Sequence, residues 1–386
     1  MSAPVIDLAA LPLDAEAMLA RLRPWVECES PTFDVAAVNA MMDLAADDLA
    51  ALGATVERIG DLAGVGDCVR AALPHPRAGE PGVLLLAHLD TVHPIGTLDA
   101  LPWRVEDGRA WGPGILDMKG GTLAAIEGWR ALREAGHETA LPVTVLLTSD
   151  EEIGSPGTRE VIEAEARRHR VVLVPEPSAR RDGVTTGRYA IARFRLAAHG
   201  RPSHAGVAPR EGVSAIREMA RRLVEIEDMT GEDCTFSVGV IHGGQWVNCV
   251  TTTCRAEALS MAKRQADLDR GVERMLALSE RREDGTGFTV ELGVVRPVWE
   301  PTPATMALYE TAKAIARTTE PESAFSHGSA GGGSDANFTG ALGLPTLDGL
   351  GLAGAGYHTL DEHILVESLP RRARLIAGLM MAGSPA

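Results

Sequence analysis

Five short segments carry histidine or carboxylate side chains at places where they could hold a metal ion. His88-Leu89-Asp90 directly follows the apolar run Gly82–Ala87. In an extended segment residues i and i+2 face the same side, so Asp90 can hold the His88 ring while the other ring nitrogen binds metal. Asp117 stands in Gly112-Pro113-Gly114-Ile115-Leu116-Asp117-Met118-Lys119-Gly120-Gly121, where glycines let the backbone approach closely and a helix follows. Asp150-Glu151-Glu152 comes after the apolar run 142–147, and Glu176 comes after the apolar run 171–174. A late His358 ends the Gly354-Ala355-Gly356-Tyr357-His358 turn. A lone histidine after a strand is usually a satisfied core residue, and an acidic triplet is usually a solvated loop. Three acidic sites and one histidine at the ends of successive apolar strands, however, are costly to leave in a crevice without a cation. Oxygen and imidazole donors without cysteine suit zinc in a catalytic rather than a structural role.

The elements around these segments predict how they are positioned. Apolar spacing predicts helices over 15–27 and 35–52, then buried strands at 82–87, 142–147 and 171–174 with helices over 120–135 and 157–168 between them. Strands without polar alternation, alternating with helices, indicate a mostly parallel sheet covered on both faces. Ligands in such folds sit beyond the carboxyl ends of the strands, where the charged residues fall. From about 184 the texture changes to a β-α-β-β-α-β order, in which 249–261 reads as a strand with Cys249 and Cys254 buried in it. After Pro297 helices resume over 303–317 and 366–382, with a strand at 344–348. The expected fold class is therefore α/β: a discontinuous domain of residues 1–183 and 299–386, with a mixed, mostly parallel sheet flanked by helices. Residues 184–298 form an inserted α+β domain.

The chain's 386 residues are too many for one comfortable core, which agrees with two domains. A net charge of -16 argues against a nucleic-acid partner and means that an anionic substrate needs a local cationic site. Five cysteines form no CxxC pair, as expected in a reducing cytoplasm. The first 20 residues lack the basic start and apolar run of a signal peptide, and no apolar stretch approaches the ~20 residues of a membrane span. These features predict a soluble, cytoplasmic protein with no membrane partner.

The same segments resemble the M20 metallopeptidases, a family that includes glutamate carboxypeptidase, acetylornithine deacetylase and succinyl-diaminopimelate desuccinylase. Ala87–Val92, Gly112–Gly121, Ser149–Gly154, Glu176–Ser178, Gly200–Gly206 and Gly331–Asn337 match its motifs in order, across nearly the whole chain. The resemblance implies a two-zinc hydrolase of N-acyl amino acids or short peptides, with cobalt or manganese as substitutes. Asp117 would bridge the metals, His88 and Glu176 would complete one site, and Glu152 and His358 the other. Asp90 would support His88, Glu151 would be the general base, and the Asp117–Met118 peptide bond would be cis. The discontinuous domain would be catalytic, and the insertion would serve as lid and homodimer interface. His204 would reach the partner's site as an imidazolium aimed at the oxyanion. Arg296 and Asn248 resemble carboxylate-binding positions, and the Gly331–Ser334 loop, with Gly333 and Ser334, could add backbone N–H groups. Glu257–Ala262 departs from the acidic-x-Arg pattern of many relatives, which weakens close transfer of specificity. A metal-free binding protein retaining the fold would be expected to have lost Glu151 or a ligand, and all are present. Serine hydrolysis finds no Gly-x-Ser-x-Gly elbow.

Overall fold

Asp14 and Asp34 start the first two helices: each carboxylate accepts a hydrogen bond from the backbone N–H three residues on, at 2.8 and 3.0 Å. The computed structural model describes residues 7–62, 64–178, 182–319 and 324–383. The chain divides into two units, one of Met1–Gly187, Glu300–Ala330 and Ser334–Ala386, the other of Arg188–Trp299 and Gly331–Gly333. The first unit opens with α1 (Ala15–Glu27), α2 (Val35–Ala51), β1 (Thr55–Ile59), β2 (Cys68–Ala72) and β3 (Val83–His88). It continues with β4 (Arg104–Glu106), β5 (Arg109–Trp111), α3 (Gly120–Glu134), β6 (Val143–Thr148), α4 (Arg159–Ala166), β7 (Val171–Leu173) and β8 (Gly183–Arg188). Every residue of β3, β6 and β7 is buried, which explains their unbroken apolar character.

The second unit contains β9 (Ala190–His199), α5 (Ala215–Glu227), β10 (Cys234–Gly243), β11 (Thr253–Ala262), α6 (Gln265–Leu276), β12 (Glu280–Arg281) and β13 (Gly287–Arg296). Its strands form one antiparallel sheet in the order β10-β11-β9-β13-β12. Burial alternates strictly along the first seven residues of β9, and Phe194, Leu196, Met219, Phe236, Leu268 and Phe288 share a core. The strand expected from residue 249 begins at Thr253, so Cys254 is buried but Cys249 is exposed in the preceding loop. That loop's backbone bridges His204 rather than a neighbouring strand.

The first unit resumes with α7 (Pro303–Thr319), β14 (Ser326–Ala330), α8 (Ala336–Ala341), β15 (Thr346–Leu347), β16 (Gly354–Ala355), β17 (His363–Leu365) and α9 (Ser368–Ala382). Its main sheet runs β1-β2-β6-β3-β7-β15, parallel from β6 to β15 and antiparallel at the β1 and β2 edge. The anticipated α/β class is thus observed, although sequence reading passed over β1 and β2. Their alternation of charged and apolar residues (Thr-Val-Glu-Arg-Ile, Cys-Val-Arg-Ala-Ala) hides a strand beside fully buried ones. A second sheet, β16-β17-β5-β4, was also missed because its strands are only two or three residues long. Among the described residues no helix is long and apolar enough to cross a membrane.

Candidate active site

His88 is the last residue of β3 and only 1% exposed. Its Nδ1 lies 2.9 Å from the carbonyl oxygen of Asp90 and 3.4 Å from the Asp90 carboxylate. Asp90 therefore holds the ring mainly through its backbone, where the sequence pointed to its side chain. The Asp90 carboxylate instead accepts the N–H groups of Glu151 and Glu152, at 3.1 and 3.2 Å, and the Thr32 hydroxyl at 2.7 Å. It thereby sets the turn that carries both glutamates at the end of β6.

With Nδ1 facing acceptors, the other nitrogen of a neutral His88 presents a lone pair. Nε2 lies 3.3 Å from Asp117 Oδ1, 3.8 Å from Glu176 and 4.0 Å from Glu151. Lone pairs converging at these distances repel unless a proton or a cation lies among them. Burial favours the neutral ring, yet hydrogen bonding to Asp117 and Asp90 raises the His88 pKa well above its ordinary value. On the far side of Asp117, Oδ2 lies 3.1 Å from His358 Nε2, which is also 3.3 Å from Glu152. Burial works against ionisation of Asp117, but His358 and His88 hold its carboxyl far below the usual range. Hydrogen bonds donated by the His358 ring to Asp117 and Glu152 push His358 up to about 10. Burial, reinforced by Asp117, pushes Glu152 up to about 7 and Glu176 well above the carboxylate range.

Among the described residues two groups could therefore each hold a cation, His88 with Glu151 and Glu176, and His88 with Asp117 and Glu152. The donor atoms of each group lie within 4.8 Å of one another. This histidine–carboxylate set fits a metal of the zinc type, since it is buried to half-buried, anionic and free of thiols. The Asp117–Met118 peptide bond is cis. His358 has a φ of 64°, held by the Thr359 N–H and hydroxyl donating to the carbonyl of Gly356. Gly121 at the start of α3 is dictated by space, because a Cβ there would lie 2.0 Å from the carbonyl of Pro175, next to Glu176.

Three buried charges beside this cluster were not singled out from sequence. Lys119 donates to the Cys28 carbonyl at 2.8 Å, and burial lowers its pKa to about 8. Asp335 accepts from the Thr148 and Ser155 hydroxyls, and Glu362 from three backbone N–H groups of the Asp117 loop. Asp335 and Lys119 lie inside the Gly331–Asn337 and Gly112–Gly121 motifs without a role assigned to them, and Glu362 only follows the His358 turn. Ser334 is fully buried, with its N–H bonded to Asn337 and its hydroxyl to Asp348. Those groups hold its turn, so its N–H is not the open donor expected from the sequence.

In the second unit His204 is exposed, and its Nδ1 accepts the N–H groups of Gly206 and Val207 at 3.1 and 3.2 Å. With Nδ1 turned to these two amides, Nε2 is the ring nitrogen that faces outward as a donor. Asn248 lies beside it, its carbonyl accepting from Ala205 at 2.9 Å. Arg296 ends β13 and is buried, and a Cβ on Gly333 would sit 2.9 Å from its Nη1. Arg188, which sequence reading missed, donates to the Gly332 carbonyl at 2.8 Å.

The sequence model of Peptidase family M20/M25/M40 matches residues 84–382. The chain belongs to this family. Enzymes of the M20 family are metal-dependent hydrolases. The M20 chain is 32% identical over 377 residues to carboxypeptidase G2 of Pseudomonas sp. (strain RS-16), covering 95% of this chain and 89% of that enzyme. Acetylornithine deacetylase of Myxococcus xanthus is 30% identical over 192 residues, 46% of this chain and 49% of that one. A solved M20 family metallo-carboxypeptidase from Sulfolobus solfataricus superposes with a TM-score of 0.77 at 13% identity, covering 96% of this chain and 99% of that chain, a likeness of fold.

Proposed function

We propose that this M20 protein is a dizinc hydrolase that cleaves an amide bond beside a free carboxylate, on N-acyl amino acids or short peptides. The observation that carries the reading is Asp117, whose two oxygens are each faced by one imidazole, at 3.3 and 3.1 Å. A carboxylate so placed can serve two ions at once. His88 and Glu176 would hold one ion and Glu152 and His358 the other, with Asp117 shared; cobalt or manganese could substitute. When bound, the ions supply Lewis acidity, lowering the pKa of a water and polarising the scissile carbonyl.

The chain's own groups do the rest. Glu151 takes a proton from the attacking water and passes it to the leaving nitrogen. Asp90 fixes the backbone of Glu151 and so the origin of that carboxylate. His204 Nε2 donates to the oxyanion, from the partner subunit of a homodimer built through the second unit. Arg296 offers a forked grip on the substrate carboxylate, with Asn248 and the backbone at Gly333 beside it. The 32% identity to carboxypeptidase G2 supports this substrate class. All five cysteines are free, which is consistent with a cytoplasmic location. The likeness to acetylornithine deacetylase favours a second reading, a deacylase with the same machinery and a different pocket.

The test is hydrolysis of N-acetyl, N-succinyl, N-benzoyl and peptidyl amino acids, with chelator and with zinc restored. Zinc-restored cleavage of one group is expected, and its identity separates carboxypeptidase from deacylase. Esterifying the substrate carboxylate should lower kcat/KM by roughly 10- to 100-fold, the worth of a hydrogen bond to a charged group. Arg296→Ala should mimic that loss. Equal turnover of the ester would remove the carboxylate grip, and chelator-insensitive turnover would remove the metal.

A further inference from the structure

We infer that Glu362 is a positioning residue that sets Asp117, His358 and the His88 loop relative to one another; this rests on the reading that these residues hold metal. Glu362 is 0% exposed. Its Oε1 accepts the backbone N–H groups of Leu116 and Asp117 at 2.8 and 3.0 Å. Its Oε2 accepts that of Gly114 at 2.9 Å and lies 2.6 Å from His93 Nε2. The Glu362 carbonyl also accepts from Gly112 N–H, at 3.3 Å. One residue thus holds the Asp117 loop at four backbone positions.

The topology explains why such a clamp is needed. β5 and β17 pair antiparallel, with His363 opposite Trp111 and Leu365 opposite Arg109. Asp117 lies six residues beyond Trp111, and His358 lies five before His363. Both therefore hang from the same end of a three-residue ribbon, on loops that its ladder does not reach. The Asp117 loop turns through Gly114 at a φ of 69°, and the His358 loop through Gly356 at 76°. Glu362 ties one loop to the other where the ladder stops. His93, three residues after Asp90, adds the loop that follows β3. The loops bearing Asp117 and His358, and the loop that leaves β3 just after His88, thus meet on a single carboxylate, whose contacts among the described residues include no ligand side chain.

The geometry requires an acceptor at both oxygens. Glu362→Gln keeps the size but turns one oxygen into an NH2 group facing either Gly114 N–H or the Leu116 and Asp117 pair. Partners that orient metal ligands typically contribute 10- to 100-fold in affinity. Zinc affinity by chelator competition, and the visible absorption of the cobalt-loaded protein, should be measured for wild type, Glu362→Gln and His93→Gln. Glu362→Gln should bind zinc roughly 10- to 100-fold more weakly with a shifted cobalt spectrum, and His93→Gln should show a smaller loss in the same direction. A role confined to stability would lower the melting temperature of the metal-free variants while leaving affinity and spectrum of the folded protein unchanged, and that result overturns the proposal. If Glu362→Gln does not fold, unchanged affinity and spectrum in His93→Gln overturn it. A folded wild type that takes up no ion defeats the metal reading itself, whereas a normal wild type with unaffected variants defeats the clamp alone.

Discussion

In the first unit, His88, Asp90, Glu151 and Glu176 are buried at strand ends, and the Asp90 and Glu362 carboxylates each accept several hydrogen bonds from the loops around them. In the second unit, His204 and Asn248 stand on exposed loops joined by two backbone hydrogen bonds, Ala205 N–H to the Asn248 carbonyl and Val250 N–H to the Ser203 carbonyl. The physical demands differ accordingly. Carboxylates gathered out of water repel one another, so their positions must be imposed by surrounding hydrogen bonds before an ion can exploit them. A single donor on a surface loop costs little to keep solvated and can be held by two backbone amides. Hydrogen bonds to carboxylates are concentrated where like charges converge.

Substitutions in the two units test this difference. Glu151→Gln should have the largest effect, lowering kcat by roughly 10²- to 10⁴-fold while both metals and the melting temperature are retained. Because Glu151 also belongs to the group with His88 and Glu176, metal analysis is decisive. Loss of an ion would make it a ligand instead of the base. His204→Ala should come next, lowering kcat about 10²- to 10³-fold. An exposed loop residue should leave metal content and melting temperature unmoved, and unchanged turnover would remove His204 from the mechanism. The smallest effect is expected from cysteine chemistry. Cys249 is exposed beside Asn248, whereas burial drives the Cys68 thiol far above its ordinary pKa. Mass spectrometry after brief maleimide treatment should find Cys249 modified and Cys68 intact, with a partial loss of turnover and no loss of metal. Rapid modification of Cys68 would show that the first unit opens more readily than its burial implies.

Much of the first unit was legible because its signals are local. The apolar runs that became β3, β6 and β7 lack alternation since both sheet faces are covered, and the charged segments follow them directly. The metal-type donors were legible for the same reason. Glu362, Lys119 and Arg188 were not, because each acts on groups far away in sequence. Glu362 bonds to residues 245 to 269 positions earlier, and Arg188 reaches 144 positions onward. The short ribbon β5–β17 escaped for a related reason, since two- and three-residue strands leave no period to read.

Residue type and near neighbours set the donor chemistry, the long helices, the fully buried strands and the turns that glycine permits. Tertiary structure decided which atoms meet. It put the Asp90 carbonyl rather than its carboxylate closest to His88, and turned His204 Nδ1 onto two backbone amides. It also closed the Ser334 amide onto Asn337 and placed an imidazole at each oxygen of Asp117. Hydrogen bonds act over about 3 Å, whereas the two imidazoles at Asp117 lie 29 and 241 residues away, so strand order and loop closure bring them together.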